Sequence, residues 1–173
     1  MRESLIERLT RSAEDMERFG ASLGRAVPML TGGPAVLYLE GELGAGKTTL
    51  ARGLIMERGY AGPVRSPTFT LLEVYALEGL TVVHIDLYRL NEPRELEGLG
   101  LRDFALPGHL WLIEWPERGA ELIPSPDVRV ALRVMHDGHA AKATVESTLG
   151  REWLMRVQAG ARGAPIEIPP RPT

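Results

Sequence analysis

The chain has 173 residues, 44% of them hydrophobic and 25% charged, with a formal net charge of −3 and no cysteine. This balance fits one globular domain with a core of its own. It excludes a disulfide scaffold or thiolate metal site and an extended basic groove for nucleic acid.

The start, MRESLIERLT, has neither a continuous apolar stretch nor a small-residue cleavage site, so no secretory signal is expected there. No apolar run is long enough to span a bilayer. The chain is therefore expected to be cytoplasmic, without a membrane partner. Next, SAEDMERFGASLGRAV sets Met16, Phe19, Leu23 and Val27 at helical spacing. Ser12 suits its N-cap, with Asp15 three residues on as a weak capping box. AVLYLE, 35–40, reads as a buried strand. KTTLARGLIMERGY then carries Leu50, Leu54 and Ile55 on one side, with Gly59 as a C-terminal cap.

Two β-rich runs flank the turn-like Glu78-Gly79 pair in SPTFTLLEVYALEGLTVVHIDLYRL, which predicts a hairpin. The sheet is accordingly expected to be mixed. NEPRELEGLGLRDF suggests one or two short helices broken by Gly98 and Gly100, and HLWLIEW another buried strand. A second hairpin is expected around Asp137-Gly138. REWLMRVQ reads as a short closing helix. Residues 1–157 form the expected domain and 158–173 a mobile, proline-rich tail.

Between the strand at 35–40 and the helix that follows stands GELGAGKT. Gly41, Glu42, Leu43, Gly44, Ala45, Gly46, Lys47 and Thr48 fit the pattern G-x-x-x-x-G-K-[ST]. Successive amides of such a loop can wrap a phosphate, and the following helix presents its positive end. Lys47 is suited to the β- and γ-phosphates and the Thr48 hydroxyl to Mg²⁺. The chain writes arginine nearly everywhere; Lys47 and Lys142 are its only lysines, and a compact ammonium at position 47 fits that role.

A phosphate loop needs a carboxylate at a neighbouring strand's end. TVVHID ends in Asp86 and LWLIE in Glu114, and the pattern does not choose between them. Ser66, Thr68 and Thr70 of SPTFT are candidates for a switch around a γ-phosphate, although a proline turn leading into a strand explains them equally. His84 shares a strand face with Asp86 and reads as packed or hydrogen-bonded. Trp115 reads as core or as a cover over a nucleotide, and Arg89, Arg94 and Arg102 as surface.

GELGAGKTTLARGL, VRSPTFTLLEVY, HIDLYRL, ELEGLGLRDF and LIEWPERG, in this order and spacing, resemble the bacterial TsaE family, the P-loop ATPase of tRNA threonylcarbamoyladenosine biosynthesis. The resemblance covers roughly residues 10–150. It implies an α/β fold: a single P-loop NTPase domain, three-layered, with a mixed, mainly parallel central sheet and helices on both faces. It implies ATP and Mg²⁺ as ligands, held by the loop from Glu42 to Thr48, by Thr49 and by Trp115. The metal would contact Thr48 and Glu114, while Asp86, Lys47 and Thr68 would serve catalysis.

The family acts with TsaB and TsaD, binding their complex and resetting it by hydrolysis, so contact with tRNA would be indirect. The base pocket would draw on the C-terminal hairpin, with Lys142 or Arg133 as candidates. Two other functions fit a bare phosphate loop. A small-molecule kinase would need an acceptor, and a nucleotide-regulated binding module would show little turnover. No N-K-x-D motif points to guanine.

Overall fold

The strands apolar along their whole length lie at the centre of the sheet. The computed structural model describes residues 5–67 and 69–163. β1 (Leu5–Thr10), α1 (Ala13–Arg25), β2 (Ala35–Glu40) and α2 (Lys47–Glu57) come first. The hairpin β3 (Leu72–Leu77) and β4 (Leu80–Asp86) follows, then β5 (His109–Glu114), the hairpin β6 (Val128–Met135) and β7 (Gly138–Val145), and α3 (Thr148–Gly163). Short 3-10 helices occupy Pro93–Leu99 and Leu101–Phe104 before β5, and Pro116–Arg118 and Ala120–Leu122 after it. The seven strands run in the order β1-β7-β6-β2-β5-β4-β3. β2, β4 and β5, the most apolar, are all interior, with β4 shielded from the edge by β3, as buried parallel strands must be.

The sheet is mixed as expected, with its parallel pairings concentrated in the middle. β2 pairs in parallel with β5 and β6, and β4 with β5. Both hairpins and the β1–β7 edge are antiparallel. Helices on both faces were expected, but the two sides are covered unequally. Met16, Phe19 and Leu23 of α1, Leu50, Leu54 and Ile55 of α2, and Trp153, Leu154 and Val157 of α3 all share one core with Leu37, Leu39, Leu110 and Leu112. Val36, Tyr38, Val83, Ile85, Trp111 and Ile113 point the other way, against Leu96, Leu101 and Ile123 from the 3-10 segments and the loop after them. Strand alternation divides the two cores.

Local chemistry explains the helix ends. Ser12 Oγ accepts the Asp15 amide at 3.1 Å, and the Asp15 carboxylate accepts the Arg11 amide at 3.0 Å, so the weak capping box closes one residue further back than expected. α3 is longer than the closing helix read from REWLMRVQ. It runs on to Gly163 across a segment assigned to the tail, because Ala159, Ala161 and Arg162 are strong helix formers that outweigh Gly160. Trp153, fully buried, donates its indole N–H to Leu23 O at 2.8 Å and locks α3 onto α1.

α1 and α2 cross at backbone contact. A Cβ on Gly53 would lie 2.0 Å from Glu17 O, and one on Gly20 would lie 2.0 Å from Leu50 O. Only glycine permits that approach. The crossing fixes the axis of α2, whose first residues are Lys47 and Thr48.

Candidate nucleotide site

Parallel strands β2, β5 and β4 bring their C-terminal ends to one edge of the sheet, where open α/β sheets bind ligands. The loop from Gly41 leaves β2 at that edge and enters α2 through Gly46. Gly46 has φ +101, a left-handed conformation that side chains rarely adopt, and a Cβ there would press within 3.0 Å of Met16 Cε. Among the described residues no side chain caps this end of α2, and no acidic residue sits in its first turn. Its leading amides are therefore left for an external acceptor.

The side chains converge tightly. Lys47 is 5% exposed, and its Nζ donates to Gly41 O at 2.6 Å and Glu42 O at 2.9 Å. The same ammonium lies 4.1 Å from the Trp115 ring centroid, a cation–π contact. Burial lowers the Lys47 pKa from its ordinary value; Glu114, Asp86, Glu117 and Glu42 oppose that fall. Thr48 Oγ1 reaches both carboxylate oxygens of Glu114, at 3.0 and 3.1 Å. His84 Nε2 meets Glu114 Oε1 at 2.7 Å, so the packed, hydrogen-bonded histidine read from the sequence is what the structure contains.

Asp86 stands beside Glu114 in the parallel register. Its carboxylate accepts the Ser66 hydroxyl and, at 2.9 Å, the Tyr88 amide. Two candidates that the strand pattern left equivalent thus have different surroundings: Glu114 faces the loop helix and Asp86 faces the 66–67 segment. Thr68 lies outside the described residues.

These groups border a cleft of about 390 Å³ lined by Leu43, Gly44, Gly46 to Thr49, Ser66, Pro67, Asp86, Tyr88, Arg89, Glu114 and Trp115. Glu42 and Ala45 do not line it: Ala45 is fully buried, and Glu42 contributes its carbonyl to Lys47. Trp115 has φ +56 and packs against Tyr88 in a tilted pair, with centroids 5.0 Å apart and ring planes inclined by 44°. Arg118 lies 5.2 Å from the Tyr88 ring. Arg133 and Lys142 line a different cleft, with Glu7, Glu40 and Gly41. Their strands alternate, and these positions point away from the helices.

His139, which sequence reasoning passed over, brings Nε2 to 3.2 Å from Gly44 O. It comes from β7, distant in the chain, and no local pattern announces the contact. Tyr88 and Arg118 stand inside the quoted stretches HIDLYRL and LIEWPERG, but only the fold shows that their side chains meet Trp115 and each other.

A glycine-rich loop joining a parallel strand to a helix, opposite two strand-end carboxylates, defines an α/β domain of the P-loop NTPase class. The model of a family described as "Threonylcarbamoyl adenosine biosynthesis protein TsaE" matches residues 10–143, and the chain belongs to the TsaE family. Its relatives include the tRNA threonylcarbamoyladenosine biosynthesis protein TsaE of Haemophilus influenzae, 39% identical over 150 residues covering 84% of this chain and 95% of that protein. The protein of the same name from Treponema pallidum is 39% identical over 131 residues, covering 76% of this chain and 93% of its own. A crystal structure of Bacillus subtilus YdiB shares the fold, with a TM-score of 0.75 at 23% identity, covering 93% of this chain and 99% of that one.

Proposed function

We propose that this chain is a Mg²⁺-dependent ATPase of the cytoplasm that supports threonylcarbamoyladenosine modification of tRNA by binding and resetting a TsaB–TsaD complex. The observation that carries this reading is the meeting of Lys47 and Thr48, at an uncapped helix start, with Glu114 and Asp86 at adjacent strand ends. Membership of the TsaE family supplies the process, and the names of the relatives point to the same pathway.

The donor set suits magnesium. Thr48 hydroxyl and Glu114 carboxylate are hard oxygen donors already in contact. Mg²⁺ takes one or two protein oxygens and completes its shell with phosphate and water. Thr48 and Glu114 would hold the ion, which when bound neutralises charge on the phosphate oxygens.

The chain's own groups do the rest. An ammonium has three donors; two of those on Lys47 grip the Gly41 and Glu42 carbonyls, leaving one for a phosphate oxygen. That grip aims the charge before substrate arrives, so little reorganisation is left to the reaction. Asp86, anchored by Ser66 and the Tyr88 amide, keeps further lone pairs with which to accept a hydrogen bond from the attacking water. Catalysis is positioning and charge stabilisation, as in phosphoryl transfer generally. Turnover is slow until the partner complex engages. A net charge of −3 accords with reaching tRNA only through that complex.

Phosphate release from ATP, measured with no acceptor and with or without TsaB and TsaD, tests the reading. Release that rises with the partners is expected. A strict need for a small-molecule acceptor would establish a kinase instead. Binding that follows ATP without any turnover would establish a regulated binding module.

A further inference from the structure

His84 and Glu114 are the most enclosed titratable pair at the site, 0% and 2% exposed. His84 pairs in register with Leu112 on β5, two residues before Glu114. It therefore sits diagonally below Glu114 on the face that carries α2. The cleft's lining does not include His84, so this side chain acts on the site through Glu114 or not at all.

The other imidazole nitrogen, Nδ1, is buried and meets no hydrogen-bond partner among the described residues. A buried N–H left without an acceptor is rarer than an acceptor left without a donor. The proton therefore belongs on Nε2, which donates to Glu114 Oε1 at 2.7 Å. The Thr48 hydroxyl lies between the two carboxylate oxygens, at 3.0 and 3.1 Å, and its single proton serves one of them at a time. Oε1 is thus held by His84 whichever oxygen the Thr48 proton serves. Among the described residues, Oε2 has at most the Thr48 hydroxyl.

We infer that His84 is a positioning residue for Glu114: its Nε2–H pins Oε1, fixes the carboxylate plane and leaves Oε2 as the oxygen that would serve the cation of Mg·ATP. The inference rests on the magnesium–ATP reading above. Histidine here plays the supporting part that outer partners commonly play behind a ligating carboxylate. Were His84 only core filling, a side chain of similar volume would serve equally well.

The test is the ratio of ATP affinity in excess Mg²⁺ to ATP affinity in EDTA, measured by calorimetry on the full chain. Loss of an outer partner typically costs about 10- to 100-fold in metal affinity, so His84→Leu should lower that ratio by about 10-fold or more while changing affinity in EDTA by less than ~2-fold. His84→Gln, whose amide N–H reaches the position of Nε2, should restore the ratio to within ~3-fold of the parent. If His84→Leu does not purify folded, His84→Asn carries the same expectation, since its shorter amide ends near the position of Nδ1. A leucine variant that melts lower but keeps the parent ratio overturns the inference. So does a glutamine variant as impaired as the leucine one. A parent whose ATP affinity ignores Mg²⁺ overturns the magnesium reading and the role of His84 together, whereas a responsive parent with an equally responsive leucine variant overturns the role of His84 alone.

Discussion

Replacing Gly53 by alanine tests how the fold positions the phosphate-loop helix. The new Cβ would lie 2.0 Å from Glu17 O and 2.7 Å from both the Glu17 carbonyl carbon and Cα. These are backbone atoms of a packed helix and cannot swing aside. Bringing the 2.0 Å approach to an ordinary contact of 3.4 Å requires α1 and α2 to separate by about 1.4 Å, enough to forfeit about half of the dispersion energy across their shared face. Overpacking of this kind costs about 1–3 kcal/mol or more, against a gain of about 1 kcal/mol from better helix propensity. A net loss of about 2 kcal/mol lowers Tm by roughly 4–8 °C in a domain of this size. Gly160→Ala is the control: it lies in α3 with no atom of the described residues within 4 Å of a new Cβ, so propensity alone should raise stability by up to about 1 kcal/mol. Thermal melts followed by circular dichroism decide the matter. A Gly53→Ala protein that melts at or above the parent would show that the close crossing does not constrain α2.

Asp127 joins three elements: its carboxylate accepts the Val36 amide at 2.8 Å and the Ser147 hydroxyl, and Ser147 Oγ in turn accepts the Gly150 amide at the start of α3. Asp127→Ala should cost about 2–3 kcal/mol, since it strands a donor and loosens a cap; an unchanged urea midpoint would contradict this. Asp86→Ala should bind ATP as the parent does and lose hydrolysis in a phosphate-release assay; hydrolysis at the parent rate removes Asp86 from the mechanism. Glu114→Gln keeps the shape but not the charge, and should reduce the gain in ATP affinity on adding Mg²⁺ without affecting affinity in EDTA. An equal loss in both conditions would assign Glu114 to the fold instead.

The elements visible in the sequence were those whose signal is local. β2 and β5 are unbroken apolar runs, and both hairpins carry their own turn residues, Glu78-Gly79 and Asp137-Gly138. β1 was not visible, because only Ile6 and Thr10 of its six residues are buried and no alternation stands out. The crowding of all three α-helices onto one face was hidden too. It depends on which side each crossover takes and on the close approach at Gly20 and Gly53, which only the partner helix reveals.

At the site, the loop from Gly41 to Thr48 was legible because phosphate binding by backbone needs a fixed glycine spacing. The choice between Asp86 and Glu114 was not legible from strand pattern, since both end apolar strands. The contacts that distinguish them, to Ser66 and to Thr48, span 20 and 66 residues of chain. His139 reaches Gly44 from β7, and the Tyr88 ring meets Trp115 from the end of another strand, so neither side-chain contact is readable from local sequence.

The central claim is that backbone amides at the start of α2, together with the Lys47 ammonium, hold a nucleoside triphosphate. Isothermal calorimetry of ATP with Mg²⁺, run on the parent chain and on folded Lys47→Ala protein, tests it most directly. Saturable heat with one site per chain in the parent, abolished or severely weakened in the variant, is the predicted result. No heat from the well-folded parent, or equal affinity in the two proteins, would contradict it.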